Sequence, residues 1–320
     1  MPDHIPASVA ILQLGRLGDM ILTTPLFDGL RRLYPDARIA VIADERSAII
    51  PDHHRSIDAV LPVRSGFPRV LGLARRCFER RYDLYVDPKD HRSTTSRFVA
   101  AWVRARRKLV HPANRDGAES PPGSALDGSK HYVDRMLAPL RQLAPGTTFP
   151  RRPSVHVPAE TVARIDERMG GGGAGVVTVN VSAGHPSRSW EPGKWKELVA
   201  SLSARNAVAA VSSRADRPLA EAVCAASRNA RPIATATILE VAAVVARSIA
   251  VVSPDTSIVH LASAFDVPTV GLYPSIAWNA ARFAPLAHHS RMVLASEDQP
   301  VSRIAVREVL DAIEEVRAGS

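Results

Sequence analysis

Two doubly wound α/β domains are the fold class that this sequence predicts, and three observations predict it. The apolar run Val9-Ala10-Ile11-Leu12 passes into the polar turn Gln13-Leu14-Gly15-Arg16-Leu17-Gly18-Asp19, and apolar residues at helical spacing follow. The run Ile249-Ala250-Val251-Val252 does the same through Ser253-Pro254-Asp255-Thr256-Ser257. Each reads as a strand buried on both faces, a tight turn and a helix start, the junction outside which α/β sheets hold ligands. Third, apolar residues make up 46% of the chain but aromatics only 5%, so the core is built from Ala, Val, Leu and Ile. Such side chains suit parallel strands. With 320 residues the chain is long enough for two domains, and one junction in each half implies two nucleotide-type domains facing each other across a cleft.

The elements follow in order. Residues 9–14 form the first strand, and Ile21, Leu22, Leu26, Leu30 and Leu33 mark a helix that ends at Tyr34-Pro35. Strands are expected at 38–43, 58–62, 82–87 and 107–111, with helices at 70–81 and 93–105. The Pro- and Gly-rich stretch 112–130 reads as a loop, 131–143 as one helix, and 144–157, with its three prolines, as the interdomain linker. In the second half, helices are expected at 158–169, 194–205, 217–227, 239–247 and 257–265, strands at 175–181, 207–212, 250–252 and 269–273, and a flexible glycine turn at 170–173. The amphipathic segment 301–317 closes the chain as a helix. The domains are therefore drawn as 1–150 and 151–300. The last helix, 301–320, is a candidate to pack back on the N-terminal domain.

Formal net charge is +9 and arginine dominates the basic residues, with clusters at Arg75-Arg76, Arg80-Arg81 and 104–108. That balance favours anionic partners such as phosphates, acidic glycans or an anionic membrane surface. No RNA-binding signature or Cys/His finger is present, so nucleic acid is not an expected partner. The two cysteines, Cys77 and Cys224, imply neither a metal site nor a disulfide framework and fit a reducing cytosol. The start Met1-Pro2-Asp3-His4 lacks a basic signal-peptide region, and no apolar run approaches the roughly 20 residues that span a bilayer. A soluble, cytoplasmic chain is expected.

Three turns carry chemistry. The first holds Gly15 and Gly18 without the full dinucleotide pattern or the Gly-Lys-Ser/Thr of a P-loop. It sets Asp19 at a helix start, where a carboxylate is either an N-cap or a general base. In Asp255-Thr256-Ser257-x-x-His260 the opening residues are N-cap types, and the amides of Ser257 and Ile258 would face an anion such as a diphosphate. His260 is either a core histidine or a further contact to that anion. In Asn180-Val181-Ser182-Ala183-Gly184-His185-Pro186-Ser187-Arg188, the planar fork of Arg188 matches a pair of phosphate oxygens, though an arginine there can equally be a solvated surface residue.

These residues resemble glycosyltransferase family 9, the ADP-heptose:lipopolysaccharide heptosyltransferases, which have the GT-B fold of two facing Rossmann-like domains with parallel sheets. Leu14-Gly15-Arg16-Leu17-Gly18-Asp19-Met20 through Pro25 is similar to the family's opening, in which the aspartate is the base. Ser182-Ala183-Gly184 followed by Arg188-Ser189-Trp190 is similar to a segment in which a lysine contacts the donor phosphate. Arg188 stands at that lysine and Glu191 at a usual proline. Asp255 to Ala262 is similar to the family's Asp-Thr/Ser-Gly-x-x-His-Leu-Ala, with Ser257 in place of glycine. Tyr82 to Asp87 is similar to a strand leading to an acceptor-side loop, which reads here Pro88-Lys89-Asp90-His91-Arg92-Ser93.

The resemblance implies an inverting, metal-independent glycosyltransferase. It moves a sugar, heptose from ADP-heptose, onto a lipopolysaccharide core or related surface glycan. It implies Asp19 as the catalytic base; Arg188, Asp255, Thr256, Ser257 and His260 at the donor diphosphate; and Ser182 and Asp216 at the donor nucleoside. Gly18, Asp87, Lys89 and Arg92 are implied on the acceptor side. No cofactor or metal is expected beyond the nucleotide-diphospho-sugar substrate, and the enzyme is placed peripherally at the cytoplasmic face of the inner membrane. Two other readings stand beside it: a GT-B-fold sugar-nucleotide epimerase, which would make product from donor alone, and a non-catalytic member that binds sugar nucleotide or glycan.

Overall fold

The computed structural model describes residues 5–63, 80–89, 91, 93–110, 130–170, 175–297 and 299–319. The chain divides into two compact units, Met1–Arg151 and Arg152–Ser320.

In the first unit the described residues form a five-stranded parallel sheet: β1 (Ser8–Gln13), β2 (Arg38–Asp44), β3 (Ala59–Val63), β4 (Arg81–Asp87) and β5 (Arg104–Val110), in the order β3-β2-β1-β4-β5. The chain builds outward from β1 to β3 and then returns to the other flank of β1 with β4, so the strand order reverses between β1 and β4. That switch point is where an open α/β sheet leaves a crevice at its strand ends. The helix Leu17–Leu33 covers the sheet with Met20, Ile21, Leu22, Leu26 and Leu30, all fully buried. A Cβ on Gly29 would come within 2.1 Å of Leu140 Cδ1, so this glycine permits the close approach of the segment that follows. That segment is two helices, Tyr132–Met136 and Ala138–Leu143, where one was expected. Pro139 offers no amide to continue the first helix, and its ring crowds the carbonyl four residues back.

The second unit holds β6 (Val176–Asn180), β7 (Ala207–Val211), β8 (Ala230–Pro232), β9 (Ser248–Pro254), β10 (Thr269–Tyr273) and β11 (Ser290–Leu294). They form a parallel sheet in the order β11-β10-β9-β6-β7-β8. Counted from β6 this is the full six-strand Rossmann order, with its switch point between β6 and β9. The edge strands β8 and β11 and the helix Ala277–Phe283 were not anticipated. β8 has three residues and ends in Pro232, and β11 is half exposed, so neither shows the apolar run by which the inner strands declare themselves.

Two further expectations are corrected. The helix expected at 93–105 spans Thr94–Trp102, because Val103 is extended and 104–110 pair with β4. The helix expected from 301 is a short 3-10 turn, Val301–Arg303, and then the helix Val306–Ala318. Extended backbone at Ile304 turns its carbonyl to accept Trp190 Nε1 and Lys194 Nζ, both at 3.0 Å. The closing helix carries an apolar stripe. Val306, Val309, Ala312, Ile313 and Val316 are consumed in one core with Trp190, Trp195, Val270 and Leu272 of the second unit. The helix expected at 70–81 and the loop at 112–130 lie almost wholly outside the described residues, as do the Arg75-Arg76 cluster, Cys77 and most of the 170–173 turn.

Candidate functional site

At the switch point of the second sheet, β6 ends in Asn180 and β9 in Pro254. Asn180 is 3% exposed and knits the two strand ends together. Its Nδ2 donates to the Ser182 carbonyl at 3.1 Å, to Ser253 Oγ at 3.0 Å and to Thr256 Oγ1 at 3.1 Å. Its Oδ1 accepts the Ser182 amide at 3.1 Å. The chain then turns at Asp255, and Thr256 caps the helix Ser257–Phe265 by accepting the Ile258 amide at 3.3 Å. The Ile258 amide is thereby taken by the cap, which corrects the expectation that it faces an anion alongside that of Ser257. The positive end of the helix macrodipole still lies at Thr256 and Ser257. Among the described non-glycine residues only Asp266 has a positive φ, so Ser257 occupies the family's glycine position in a backbone conformation that any residue adopts.

Arg188 reaches this helix start from the loop after β6. Its Nη1 donates to the Asp255 carbonyl at 3.0 Å and pairs with Asp255 Oδ2 at 3.1 Å. Asp255 is buried, while Arg188 keeps 29% of its side chain exposed, so the guanidinium is oriented from below and faces solvent above. Beneath the pair lies Tyr273, the last residue of β10, with its hydroxyl donating to the Phe283 carbonyl at 2.8 Å. Complete burial, and then the charge of Asp255, hold the Tyr273 phenol well above its ordinary pKa against the opposing Arg188, so it remains a hydrogen-bond donor. A Cβ on Gly271 would fall 2.5 Å from Tyr273 Cε2, so the ring packs over a glycine. His260 is buried one turn into the helix, its ring centroid 6.2 Å from that of Phe283.

Ser182 Oγ accepts the Ser213 amide at 2.7 Å, and Ser213 Oγ donates to Asp216 Oδ2 at 2.8 Å. The loops after β6 and β7 are thus tied together, bringing Ser182 and Asp216 to a shared partner. Sequence reasoning did not single out Asn180, Ser213, Ser253 or Tyr273. A polar residue closing a buried apolar strand was the available signal for Asn180 and Ser253. Replacing Asn180 with Ala strands the Ser182 amide and takes one bond each from Ser253 and Thr256, whose hydroxyls keep other partners, and is expected to destabilise the second unit by about 1–3 kcal/mol in chemical denaturation.

In the first unit the helix begins at Leu17 with Arg16 at the N-cap, so Asp19 is the third helical residue rather than the cap itself. Its Oδ2 accepts the Arg16 amide at 3.0 Å, the reach-back of a capping box. A Cβ on Gly15 would lie 2.7 Å from Asp19 Cβ and 2.9 Å from Gln13 Oε1, so only glycine leaves the carboxylate where it is. Gly18 lies in the same first helical turn. Asp87 closes β4 beside this turn. It is 2% exposed, and its Oδ1 accepts the Lys89 amide at 3.0 Å. Lys89 follows on that loop, its Nζ 3.4 Å from Ser93 Oγ. Arg92 lies outside the described residues. Among the described residues, no group of three or more His, Cys, Asp or Glu side chains is placed to hold a metal ion.

The sequence model of glycosyltransferase family 9 (heptosyltransferase) matches residues 124–308. The chain belongs to glycosyltransferase family 9. The lipopolysaccharide heptosyltransferase 1 of Pseudomonas aeruginosa is 27% identical over 291 residues, which cover 83% of this chain and 78% of that protein. Among solved structures, a glycosyltransferase family 9 protein of Veillonella parvula superposes with a TM-score of 0.84 at 18% identity, covering 98% of each chain. The E. coli heptosyltransferase WaaC with ADP superposes with a TM-score of 0.76 at 16% identity, covering 97% of this chain and 99% of that one. The two parallel sheets with their flanking helices are those of the GT-B fold, and the chain is a family 9 glycosyltransferase of that fold.

Proposed function

We propose that this family member transfers a sugar, with inversion, from a nucleotide-diphospho-sugar to a glycan hydroxyl, and that the pair is ADP-heptose and a lipopolysaccharide core acceptor. The observation that carries the reading is the Arg188–Asp255 pair at the start of the helix Ser257–Phe265, on the switch point of a six-stranded Rossmann sheet. A half-exposed guanidinium and a helix N-terminus converge there, which is what a diphosphate leaving group requires. Heptose, adenine and lipopolysaccharide come from the relatives: a Pseudomonas lipopolysaccharide heptosyltransferase by sequence, and a heptosyltransferase crystallised with ADP by fold.

In the proposed reaction Asp19 takes the proton of the acceptor hydroxyl. The oxygen forms its bond to the anomeric carbon as the bond to the diphosphate oxygen breaks, and the diphosphate leaves with the electron pair. Arg188 and the helix end stabilise the charge that develops on it, without a metal ion. Ser257 contributes its amide, and His260 lies within the same helix start. Ser182 and Asp216 serve the nucleoside, and Gly18, Lys89 and Arg92 the acceptor. The exposed basic edge of β5, Arg104, Arg106 and Arg107, next to Trp102 at 45% exposure, supports peripheral approach to the anionic inner-membrane surface from the cytoplasm.

A thermal-shift series with ADP, UDP, GDP and CDP tests the donor half. ADP at a hundredfold excess over its Kd should stabilise the protein by about 2.7 kcal/mol, an upward shift of several degrees. An equal response to all four, or a response to UDP alone, removes ADP-heptose as donor. Turnover of ADP-heptose with and without core oligosaccharide then separates the chemistries. Product that requires acceptor supports transfer, product from donor alone reveals an epimerase, and binding without product reveals a sugar-nucleotide-binding module.

A further inference from the structure

Asp87 is the last residue of β4, at the point where the first sheet reverses its strand order. Its Oδ1 accepts the Lys89 amide at 3.0 Å, whereas Oδ2 is buried with no hydrogen-bond partner. A carboxylate in that setting is poorly solvated. Burial pushes its pKa up to about 6, against the opposing pull of the Lys89 amide, the Ser96 side chain, and the charges of Lys89 and His91. Among the described residues, Lys89 and His91 are the charged groups whose fields reach it. Beside it β1 ends in Gln13, β5 sets Val110 opposite, and the helix Thr94–Trp102 contributes Ser96.

The position is costly for a charge and cheap for an amide. An asparagine would accept the Lys89 amide, though more weakly, without burying an ion. What the carboxylate adds is a hydrogen bond whose strength depends on its ionisation, since a charged acceptor roughly doubles it. The bond fixes the first turn of the loop that carries the Lys89 ammonium. We propose that Asp87 is a positioning residue of the acceptor half: ionised, it clamps the Lys89 amide and positions the Lys89 ammonium toward an anionic group of the acceptor, and protonated it loosens that clamp. The proposal rests on the reading of the first unit as the acceptor-binding half.

The test is the pH dependence of KM for core oligosaccharide carrying phosphate or carboxylate groups, at saturating ADP-heptose. With the carboxyl titrating near 6, KM should rise about tenfold between pH 8 and pH 5. Asp87→Asn should flatten that rise. His91→Gln should keep it, which separates the carboxyl from the neighbouring imidazole. In the unmutated protein the amide resonance of Lys89 should titrate with the same midpoint, a readout independent of turnover. A KM profile unchanged in Asp87→Asn, or a Lys89 amide indifferent to pH between 5 and 8, overturns the proposal while leaving transfer itself intact. Absence of acceptor-dependent product from the unmutated protein overturns the acceptor reading, and the proposal with it.

Discussion

Asn at position 19 is expected to lower glycosyl transfer by about 10²–10⁴-fold while leaving the fold and donor binding as they are. The expectation follows from where Asp19 sits. Its carboxylate does not cap the helix from outside. It lies in the first turn and reaches back to the Arg16 amide through one oxygen, Oδ2. The amide oxygen of asparagine can accept that hydrogen bond, so the helix start survives the substitution, and the melting temperature should stay within a few degrees. What asparagine lacks is a site for the acceptor's proton. Donor affinity should also hold, since the residues proposed for the diphosphate are built entirely within the second unit. The measurement is the steady-state transfer rate beside nucleotide affinity and thermal denaturation. A rate within tenfold of the parent, in a folded protein, removes Asp19 as the base. Gly15→Ala is the companion: it keeps the carboxylate but sets a methyl 2.7 Å from Asp19 Cβ, so displacement alone should slow the reaction.

That placement also shows which parts of the molecule are readable from residues alone. The inner strands were, because a parallel strand covered on both faces is an uninterrupted apolar run, as in Val9 to Leu12 and Ala250 to Val252. The start of the helix Ser257–Phe265 was, because Thr256 is a capping residue type and uses its hydroxyl to cap. The start of the first helix was displaced, because Arg16 is not a capping type and nothing local announces that Asp19 will reach back to it. The break at Leu137 is written locally, in Pro139, but the extended step at Ile304 depends on tertiary partners, Trp190 and Lys194 on one carbonyl. The same holds within the site. Arg188 was legible as a cation near a strand end, but its partner Asp255 is 67 positions away in sequence, and the Asn180 bonds to Ser253 and Thr256 cross the sheet. Contacts of that kind are written in strand order, which no local pattern carries.

The Arg188–Asp255 pair yields the second large effect, and it can be divided. Arg188→Ala takes the guanidinium from a buried carboxylate and from the proposed diphosphate site at once. Losing a partner of a buried ion costs about 3–5 kcal/mol when both members are buried, and the 29% exposure of Arg188 reduces this to about 1–3 kcal/mol. Loss of charge-assisted hydrogen bonds to the diphosphate should weaken nucleotide binding by about 10–100-fold. Both contacts to Asp255 come from one nitrogen, Nη1, so Arg188→Lys, which keeps a charge but not the planar guanidinium, should recover part of the stability and only part of the nucleotide binding. The double variant Arg188→Ala/Asp255→Asn decides between two roles. Removing the buried charge should return most of the lost stability. If Arg188 itself holds the diphosphate, nucleotide affinity stays low in that double variant, as isothermal titration would show. If affinity returns together with stability, Arg188 serves only to neutralise Asp255, and the helix end must hold the diphosphate without it.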